Sequence, residues 1–406
     1  MFISGDCFLL KMSRSIITGI DIGTHYVKVV IANAQERNEK NNLPKIIGVG
    51  LVETRGLRHG YIINISDVVS SIKEAVNQAE KKADAKVKKA FVSIGGIGLG
   101  SITNTSSIII SRADLEITAL DIKRVQEQCE KDIPPAASLN KKIIHSIPVQ
   151  YKVDGKVVLG KPEGMHGSKF EIKTLYITCL EQHLNDMIEA VEDAGISVQD
   201  VMASPIAASL VTLSKSQKIA GCVLANIGGE TVSIAVFENN IPVSLEVFPI
   251  GSTDITNDIA LGLKVPLEEA EQIKIGAITG ASYPRKKLEE IISARLSDIF
   301  ELIEAHLKKI GRNGLLPAGI ILTGGGSGLS GIEDMAKTSL RLPSRIGSIG
   351  LGIPEKNDLK DSSWAVAYGL CILGMHADTD LPIDTSSRIF ENSKKTMMAW
   401  LKQFLP

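Results

Sequence analysis

The chain is 406 residues long, 44% of its residues are hydrophobic and 4% are aromatic, and its formal net charge at pH 7 is −1. This length exceeds what one hydrophobic core usually organises and predicts two or more lobes. The nearly balanced charge excludes a broad basic face and the few aromatic side chains exclude base-stacking platforms, so no nucleic acid partner is expected.

The cysteines and the N-terminal residues indicate the compartment. The five cysteines are scattered and contain no CxxC pair, so neither a zinc site nor a disulfide framework is expected, and a reducing cytoplasm fits best. The first residues carry Asp6 and lack a basic region, which argues against a signal peptide. No apolar run reaches the length of a membrane span. We interpret the N-terminal residues as a disordered tail or as a start upstream of the true one at Met12.

Residues 19–31, GIDIGTHYVKVVI, form the first informative stretch. Its first half is apolar and β-branched, as in a strand buried on both faces, and apolar residues resume after Gly23 and Thr24. The pattern predicts a β-hairpin whose turn presents backbone N–H groups to an anion, with the ammonium of Lys28 close by. Taken alone, it fits a plain turn as well as a phosphate-binding one.

The next segments predict a sheet and a helix, and after them the amino-acid composition changes. Residues 46–52 and 90–94 fit short strands, and residues 65–82 fit an amphipathic helix that Ser66 caps. From about residue 97 to 171 the chain becomes rich in Ser and Thr and then in Gly, and this stretch predicts a small inserted α/β subdomain.

Two later stretches repeat the plan of the first hairpin. In residues 222–239, CVLANIGGETVSIAVFEN, an apolar run leads to Gly228-Gly229 and Thr231, and a second apolar run follows. Residues 320–327, IILTGGGS, place another glycine loop after a buried run. Three such loops predict two related halves that clamp one nucleotide between them.

The first loop resembles the phosphate loop of the actin/Hsp70/sugar-kinase superfamily. That loop has Asp, any residue, Gly, Ser or Thr, and then Lys four residues further on, which Asp21, Gly23, Thr24 and Lys28 match. The resemblance implies an α/β, actin-like fold of two lobes that are duplicated ribonuclease H-like domains, with ATP and Mg²⁺ between them.

The insert sharpens the resemblance. The order IPVQYKVDG (147–155), Pro162, Gly164-Met165 and Gly167 is similar to the inserted subdomain of the FtsA family of bacterial cell-division actin homologues. The similarity runs from Gly19 to about Leu373 and includes residues 268–275, 320–326 and 364–370. It implies the following division: a first lobe at 13–96 and 172–205, the insert at 97–171, a second lobe at 206–375 with its outer subdomain at 241–318, a linker at 376–386 and an amphipathic C-terminal helix at 387–406.

The resemblance also implies the residues that hold the nucleotide. The expected ATP-binding set is Asp21, Gly23, Thr24, His25, Lys28, Gly228, Gly229, Glu230, Thr231, Glu271, Lys274, Gly324, Gly325 and Gly326. Asp21 is expected to hold Mg²⁺ through water, because this ion prefers hard oxygen ligands. We interpret His25 as an exposed turn residue beside the phosphates.

The second loop departs from the superfamily pattern. Asn226 stands where Asp is usual, Glu230 replaces the third glycine, and Ser233 replaces a second common Asp. These changes weaken the electrostatics of phosphoryl transfer, so we expect nucleotide binding with slow or absent hydrolysis. An extra anion at Glu230 also counts against binding, unless its side chain points away.

Residues 286–309 fit a long amphipathic helix whose charged residues include Arg295. A helix that packs on its apolar face and exposes its other face to solvent explains these charges. The family resemblance adds that this subdomain receives the C-terminal tail of FtsZ, with Arg295 as a candidate contact.

The final residues, SRIFENSKKTMMAWLKQFLP, fit an amphipathic helix after an acidic linker. One helical face collects the apolar residues Phe390, Met397, Met398, Trp400, Leu401, Phe404 and Leu405. The aromatic residues suit a membrane interface and the lysines suit anionic lipids. A helix docked on its own domain is the alternative.

The leading hypothesis is an ATP-binding division protein that polymerises, tethers FtsZ to the cytoplasmic face of the membrane at the division site, and recruits later division proteins. One alternative is the related pilus-assembly actin-like protein, which generally lacks such a C-terminal helix. The other is a small-molecule kinase of the superfamily, which Asn226 disfavours.

Overall fold

The structure, a computed structural model, describes residues 16–37, 43–277, 283–349 and 361–377. Both candidate starts and the amphipathic segment 387–406, with its seven apolar residues from Phe390 to Leu405, lie outside the described residues, so these interpretations stay predictions. Within the four described ranges, no helix combines the length and the apolar character needed to cross a bilayer.

The chain begins with a sheet and a covering helix. The elements are β1 (Ile16–Ile22), β2 (Tyr26–Arg37), β3 (Pro44–Glu53), β4 (Leu57–Arg58), β5 (Tyr61–Ile62), α1 (Ile65–Ala83) and β6 (Lys89–Ile94). β1 and β2 pair in antiparallel fashion, with Ile22 opposite Val27 next to the turn, which confirms the first hairpin. The cap of α1 is Asn64, whose side chain accepts the N–H of Asp67; the prediction of Ser66 was wrong, because Ser66 lies inside the helix and its hydroxyl donates to Asn64.

The insert has its own sheet and core. It contains β7 (Gly100–Ile109), α2 (Ala119–Lys131), α3 (Pro135–Ser138), β8 (Lys141–Val153), β9 (Lys156–Val158) and β10 (Lys169–Leu180), with strand order β7-β10-β8-β9. Phe170 and Tyr176 lie in its core. β10 pairs with β7 and β8, whereas the sequence interpretation assigned residues 172–178 to the first lobe. An apolar strand does not reveal its pairing partners, which explains the difference.

The chain then returns to the first sheet and leaves it again. This stretch comprises α4 (Glu181–Asp193), β11 (Ser197–Ala203), α5 (Ser204–Thr212) and α6 (Lys215–Ala220). β11 completes a five-stranded sheet of order β11-β6-β1-β2-β3.

The second lobe repeats this topology. Its elements are β12 (Cys222–Ile227), β13 (Val232–Glu238), β14 (Ile241–Phe248), α7 (Ser252–Leu263), α8 (Leu267–Lys274), α9 (Arg285–Lys309), β15 (Ile320–Thr323), α10 (Ile332–Leu340), β16 (Ser344–Ile346) and α11 (Ala365–Ala377), with short 3-10 helices at Gly325–Gly328 and Asp361–Trp364. Its sheet has the order β14-β13-β12-β15-β16. In each sheet the first three strands form an antiparallel meander and the last two join in parallel, which confirms the predicted duplication.

The last described helix packs on the first lobe. α11 contacts α5, β1, β2 and β6, although the sequence interpretation placed it in the second lobe. A Cβ added to Gly369 would lie 1.9 Å from the carbonyl oxygen of Ala207 in α5. Glycine therefore permits the close approach of α11 and α5.

A buried histidine joins the insert to the first lobe and gives a pH-dependent prediction. Nε2 of His145, on β8, accepts the N–H of Ala203 at 3.2 Å, so the ring must be neutral. Burial lowers the pKa of His145 to about 4. Below about pH 6.5 the unfolded chain therefore binds a proton at this histidine, whereas the folded chain does not until the pH is close to 4. The free energy of unfolding consequently decreases as the pH falls through this range.

We expect the advantage of the wild type over His145→Gln, in free energy of unfolding, to shrink by about 2 kcal/mol between pH 7 and pH 5. Urea denaturation at the two pH values measures it. Burial also raises the pKa of Asp200 to about 7, which acts in the opposite direction, but both proteins carry this carboxyl and the difference cancels its effect. An advantage that is equal at both pH values would contradict the prediction.

Candidate functional site

The turn of the first hairpin is held in shape by its own backbone and by β3. Gly23 donates its N–H to the carbonyl of Tyr26 at 3.1 Å, and Thr54 donates its hydroxyl to the carbonyl of Gly23 at 2.7 Å. The N–H of Thr54 donates to the carbonyl of His25 at 3.0 Å. These bonds fix the turn that contains Thr24, and His25 is exposed, as expected.

A buried ion pair lies behind this turn. Asp21 and Lys28 face each other across the hairpin with Nζ 4.0 Å from Oδ2, and their side chains are only 12% and 13% exposed. Ser93 donates its hydroxyl to Asp21 at 2.8 Å. Burial raises the pKa of Asp21, against the opposing effects of Lys28 and Ser93, and burial lowers the pKa of Lys28. An anionic ligand in the cleft would stabilise the charged form of Lys28.

The second glycine loop is fixed by the start of α7. The N–H groups of Ser252 and Thr253 donate to the carbonyls of Gly228 and Gly229 at 2.9 and 2.8 Å. Gly228 donates its own N–H to the carbonyl of Thr231 at 2.8 Å, which closes the turn. The loop is therefore preorganised by backbone hydrogen bonds.

The third glycine loop requires glycine at two positions. Gly324 has φ +86°, and its added Cβ would lie 2.4 Å from Oδ1 of Asn226. An added Cβ at Gly326 would lie 2.5 Å from Cγ2 of Ile227. The absence of these side chains lets the loop lie directly against the end of β12.

Glu271 and Lys274 form a polar network with α7. Lys274 Nζ lies 2.6 Å from Glu271 and donates to the hydroxyl of Thr256 at 2.8 Å, and Thr256 donates to Glu271 at 2.6 Å. Burial acts to raise the pKa of Glu271, but the hydrogen bonds from Lys274 and Thr256 outweigh it and lower the pKa. The carboxylate is therefore held ionised beside the cleft.

These loops surround one cleft of about 830 Å³ between the lobes. The expected residues that line it are Asp21, Gly23, Thr24, His25, Lys28, Gly228, Gly229, Thr231, Glu271, Lys274, Gly324, Gly325 and Gly326. Ser93, Gly95, Gly96 and Ser204 line it as well and were missed. The pair Gly95-Gly96 follows the buried strand β6, so the signal that identified the other loops was present there too.

Glu230 is placed differently from the residues around it. It is not among the residues that line the described part of the cleft, and its Oε2 accepts the N–H of His59 at 2.5 Å. The side chain thus points towards the opposite lobe and not into the cleft.

The carboxylates in the cleft limit how a metal is held. Asn226 and Ser233 line the cleft as neutral side chains, and of the two carboxylates that line its described part Glu271 is held by Lys274 and Thr256, which leaves Asp21 as the candidate for a metal. In the described part of the chain, no three His, Cys, Asp or Glu side chains are grouped as metal ligands. One carboxylate fits Mg²⁺, which keeps several waters and takes substrate phosphates as its other ligands.

Arg295 lies apart from the cleft. Its guanidinium donates to both carboxylate oxygens of Asp258, at 2.7 and 3.0 Å, and lies 3.3 Å from Asp298. The structure therefore places this side chain in an ion-pair network on the surface of α9, and its role in partner binding stays a prediction.

Family models match two parts of the chain. The model for cell division protein FtsA matches residues 223–369, and the model for the SHS2 domain inserted in FtsA matches residues 96–178. The second match coincides with the insert and extends through most of β10.

Individual relatives match most of the chain. It is 31% identical over 388 residues to cell division protein FtsA of Borreliella burgdorferi, covering 89% of this chain and 91% of the relative. It is 30% identical over 379 residues to FtsA of Bacillus subtilis, covering 88% and 83%. It is 28% identical over 418 residues to FtsA of Pseudomonas aeruginosa, covering 97% and 98%.

Solved structures establish the fold class. The chain superimposes on a chain of the PilM-PilN type IV pilus biogenesis complex with a TM-score of 0.65, 18% identity and coverage of 89% and 99%. For MreB5 of Spiroplasma citri bound to ADP the TM-score is 0.50, with 14% identity and coverage of 89% and 96%. The fold is actin-like, with a small subdomain inserted in the first lobe.

Proposed function

The chain belongs to the FtsA family of cell division proteins, and from this premise we propose that it is an ATP-binding, actin-like scaffold of the bacterial division machinery. One observation carries the nucleotide part of the proposal. Glycine-rich turns from both lobes meet at one cleft, with the buried ammonium of Lys28 at its base. Backbone N–H groups in turns, together with a fixed cation, are suited to a polyphosphate.

Each part of the cleft has a role in this proposal. The turns at Gly23-Thr24 and Gly228-Gly229 hold the terminal phosphates from opposite sides. The loop at 324–326 lets the backbone approach the adenosine, and Glu271 and Lys274 bind the ribose. Asp21 holds the hydrated Mg²⁺, which neutralises phosphate charge when it is bound.

The proposal includes slow or absent hydrolysis. Asn226 and Ser233 cannot supply the carboxylates that order a metal-bound water in the superfamily, and Glu230 is turned towards His59. Because phosphoryl transfer depends on positioned charge, a site with these neutral side chains retains its ligand better than it reacts.

The remaining parts of the proposal rest on family membership and on the C-terminal sequence. The protein self-associates, binds the C-terminal tail of FtsZ on the second lobe with Arg295 as a contact, and recruits later division proteins. Residues 387–406 place it on the cytoplasmic face of the membrane at the division site, because Trp400, Phe404 and their neighbours suit an anionic interface.

Vesicle sedimentation tests the tether. We expect the full chain to pellet with vesicles that contain phosphatidylglycerol, and to bring FtsZ with it, whereas deletion of 387–406 should leave both proteins in the supernatant. Trp400→Lys should weaken binding strongly, because it places a charge in the apolar arc. Gln403→Ser, on the polar face, is the matched control and should bind normally. Unchanged pelleting of the deletion variant would refute the tether.

A peptide-binding experiment distinguishes the proposed division protein from the pilus-assembly alternative. An FtsZ tail peptide immobilised on resin should retain the protein, and a pilus-protein peptide should not. Retention on the pilus peptide alone would favour the alternative, for which the likeness to PilM supports the fold only.

A further inference from the structure

Glu230 makes a contact between two loops that are far apart in the chain. Its carboxylate accepts the backbone N–H of His59, and its own carbonyl lies 3.3 Å from Nδ1 of the same histidine. The two residues are 171 positions apart and belong to different lobes. The hydrogen bond is charge-assisted, which makes it stronger than a bond between neutral groups.

Both ends of this contact are fixed to the edges of the cleft. On the first lobe, Ile97 donates its N–H to the carbonyl of His59 at 3.3 Å, and a Cβ added to Gly60 would lie 2.3 Å from Cα of Gly96. Gly60 and Gly96 themselves line the cleft. On the second lobe, Glu230 follows Gly229, whose carbonyl is held by the start of α7. Glu230 is therefore fixed to a phosphate loop of the second lobe, and His59 is fixed to residues of the first lobe that line the cleft.

The two lobes also meet beside the contact. A Cβ added to Gly229 would lie 3.2 Å from the hydroxyl oxygen of Thr24 and 3.3 Å from Cβ of His25. The contact between Glu230 and His59 thus lies next to a point where the two expected phosphate loops approach each other closely.

We infer that Glu230 is a positioning residue that joins the two lobes across the mouth of the cleft, with or without nucleotide, and thereby slows nucleotide release. This inference deepens the proposed function and rests on it for the nucleotide. It also explains how an acidic residue is accommodated in a phosphate-binding loop, because the carboxylate accepts a hydrogen bond from the opposite lobe and does not line the cleft. Release requires the lobes to separate, and separation breaks this hydrogen bond.

The test compares Glu230→Gly with Glu230→Gln. Hydrogen exchange without nucleotide measures the amide of His59, which should exchange about tenfold faster in Glu230→Gly because a charge-assisted bond is lost. The release rate of a fluorescent ATP analogue should rise by about the same factor, with little change in the association rate. Glu230→Gln retains a carbonyl acceptor and should restore most of the wild-type behaviour.

Two further variants serve as controls. His59→Gly keeps the donating N–H and suits the left-handed backbone at this position, where φ is +49°, so the Glu230→Gly effect should persist in its background. Glu238→Gln removes the charge of a carboxylate at the other end of β13, paired with Arg312, and should change neither readout.

Each result decides the inference. Unchanged exchange at His59 in Glu230→Gly would overturn the contact between the lobes, and faster exchange with an unchanged release rate would overturn the positioning role. If no variant binds the nucleotide analogue, the proposed function fails and the effect on release fails with it. The exchange measurement still decides whether Glu230 joins the lobes.

Discussion

Lys28→Ala is expected to lose about 3 kcal/mol of unfolding free energy and to raise the Kd for Mg-ATP at least about a hundredfold. Removal of the ammonium leaves the carboxylate of Asp21 buried with the Ser93 hydroxyl as its donor. The cost lies at the low end of the range for a broken buried pair, because this hydrogen bond remains. Denaturant unfolding and equilibrium titration measure the two losses.

A double variant separates stability from binding. Asp21→Asn with Lys28→Met replaces the ion pair by neutral groups of similar size, so most of the lost stability should return. Affinity should not return, because the cation that faces the phosphates and the carboxylate that faces the hydrated Mg²⁺ are both absent. Recovery of tight Mg-ATP binding in the double variant would contradict the assignment of these residues to the nucleotide site.

Gly229→Leu is expected to abolish detectable nucleotide binding while the protein remains folded. The added side chain starts 3.2 Å from the hydroxyl oxygen of Thr24 and extends into the space between the two phosphate loops. Overpacking of this kind costs about 1–3 kcal/mol of stability, which a two-lobed protein can tolerate, but it occupies the position proposed for the terminal phosphates.

A graded series makes this prediction specific. Gly229→Ala adds only a Cβ at a tight but tolerable distance and should weaken binding far less than leucine does. Gly100→Leu lies on the insert, where an added Cβ has no atom of the described chain within 4 Å, and should leave both binding and stability near the wild-type values. Equal affinity in the three variants would show that the phosphates do not lie at Gly229.

The local plan of the fold could be predicted from the sequence because each signal is short in range. The strands around Gly23 and Gly228 are apolar and β-branched, and the glycines that follow them mark the turns. The repetition of that plan predicted the duplication, which the matching strand orders confirm. The order of motifs around the insert indicated the family, which the relatives confirm.

Contacts between distant segments could not be predicted in this way. The position of the Glu230 side chain depends on the N–H of His59, and no local pattern relates the two residues. The pairing of β10 with β7 and β8, and the packing of α11 on the first lobe, likewise depend on partners far along the chain. The N-cap at Asn64 was missed for a simpler reason, because Ser66 was chosen as the cap although the helix was predicted, correctly, to begin at Ile65.

An equilibrium titration of the wild-type protein with a fluorescent ATP analogue and Mg²⁺ tests the account most directly. We expect saturable binding of one nucleotide per chain, displacement by unlabelled ATP, and loss of the signal in the Asp21→Asn, Lys28→Met double variant. A signal that ATP does not displace, or that the double variant retains, would contradict a nucleotide site between the lobes.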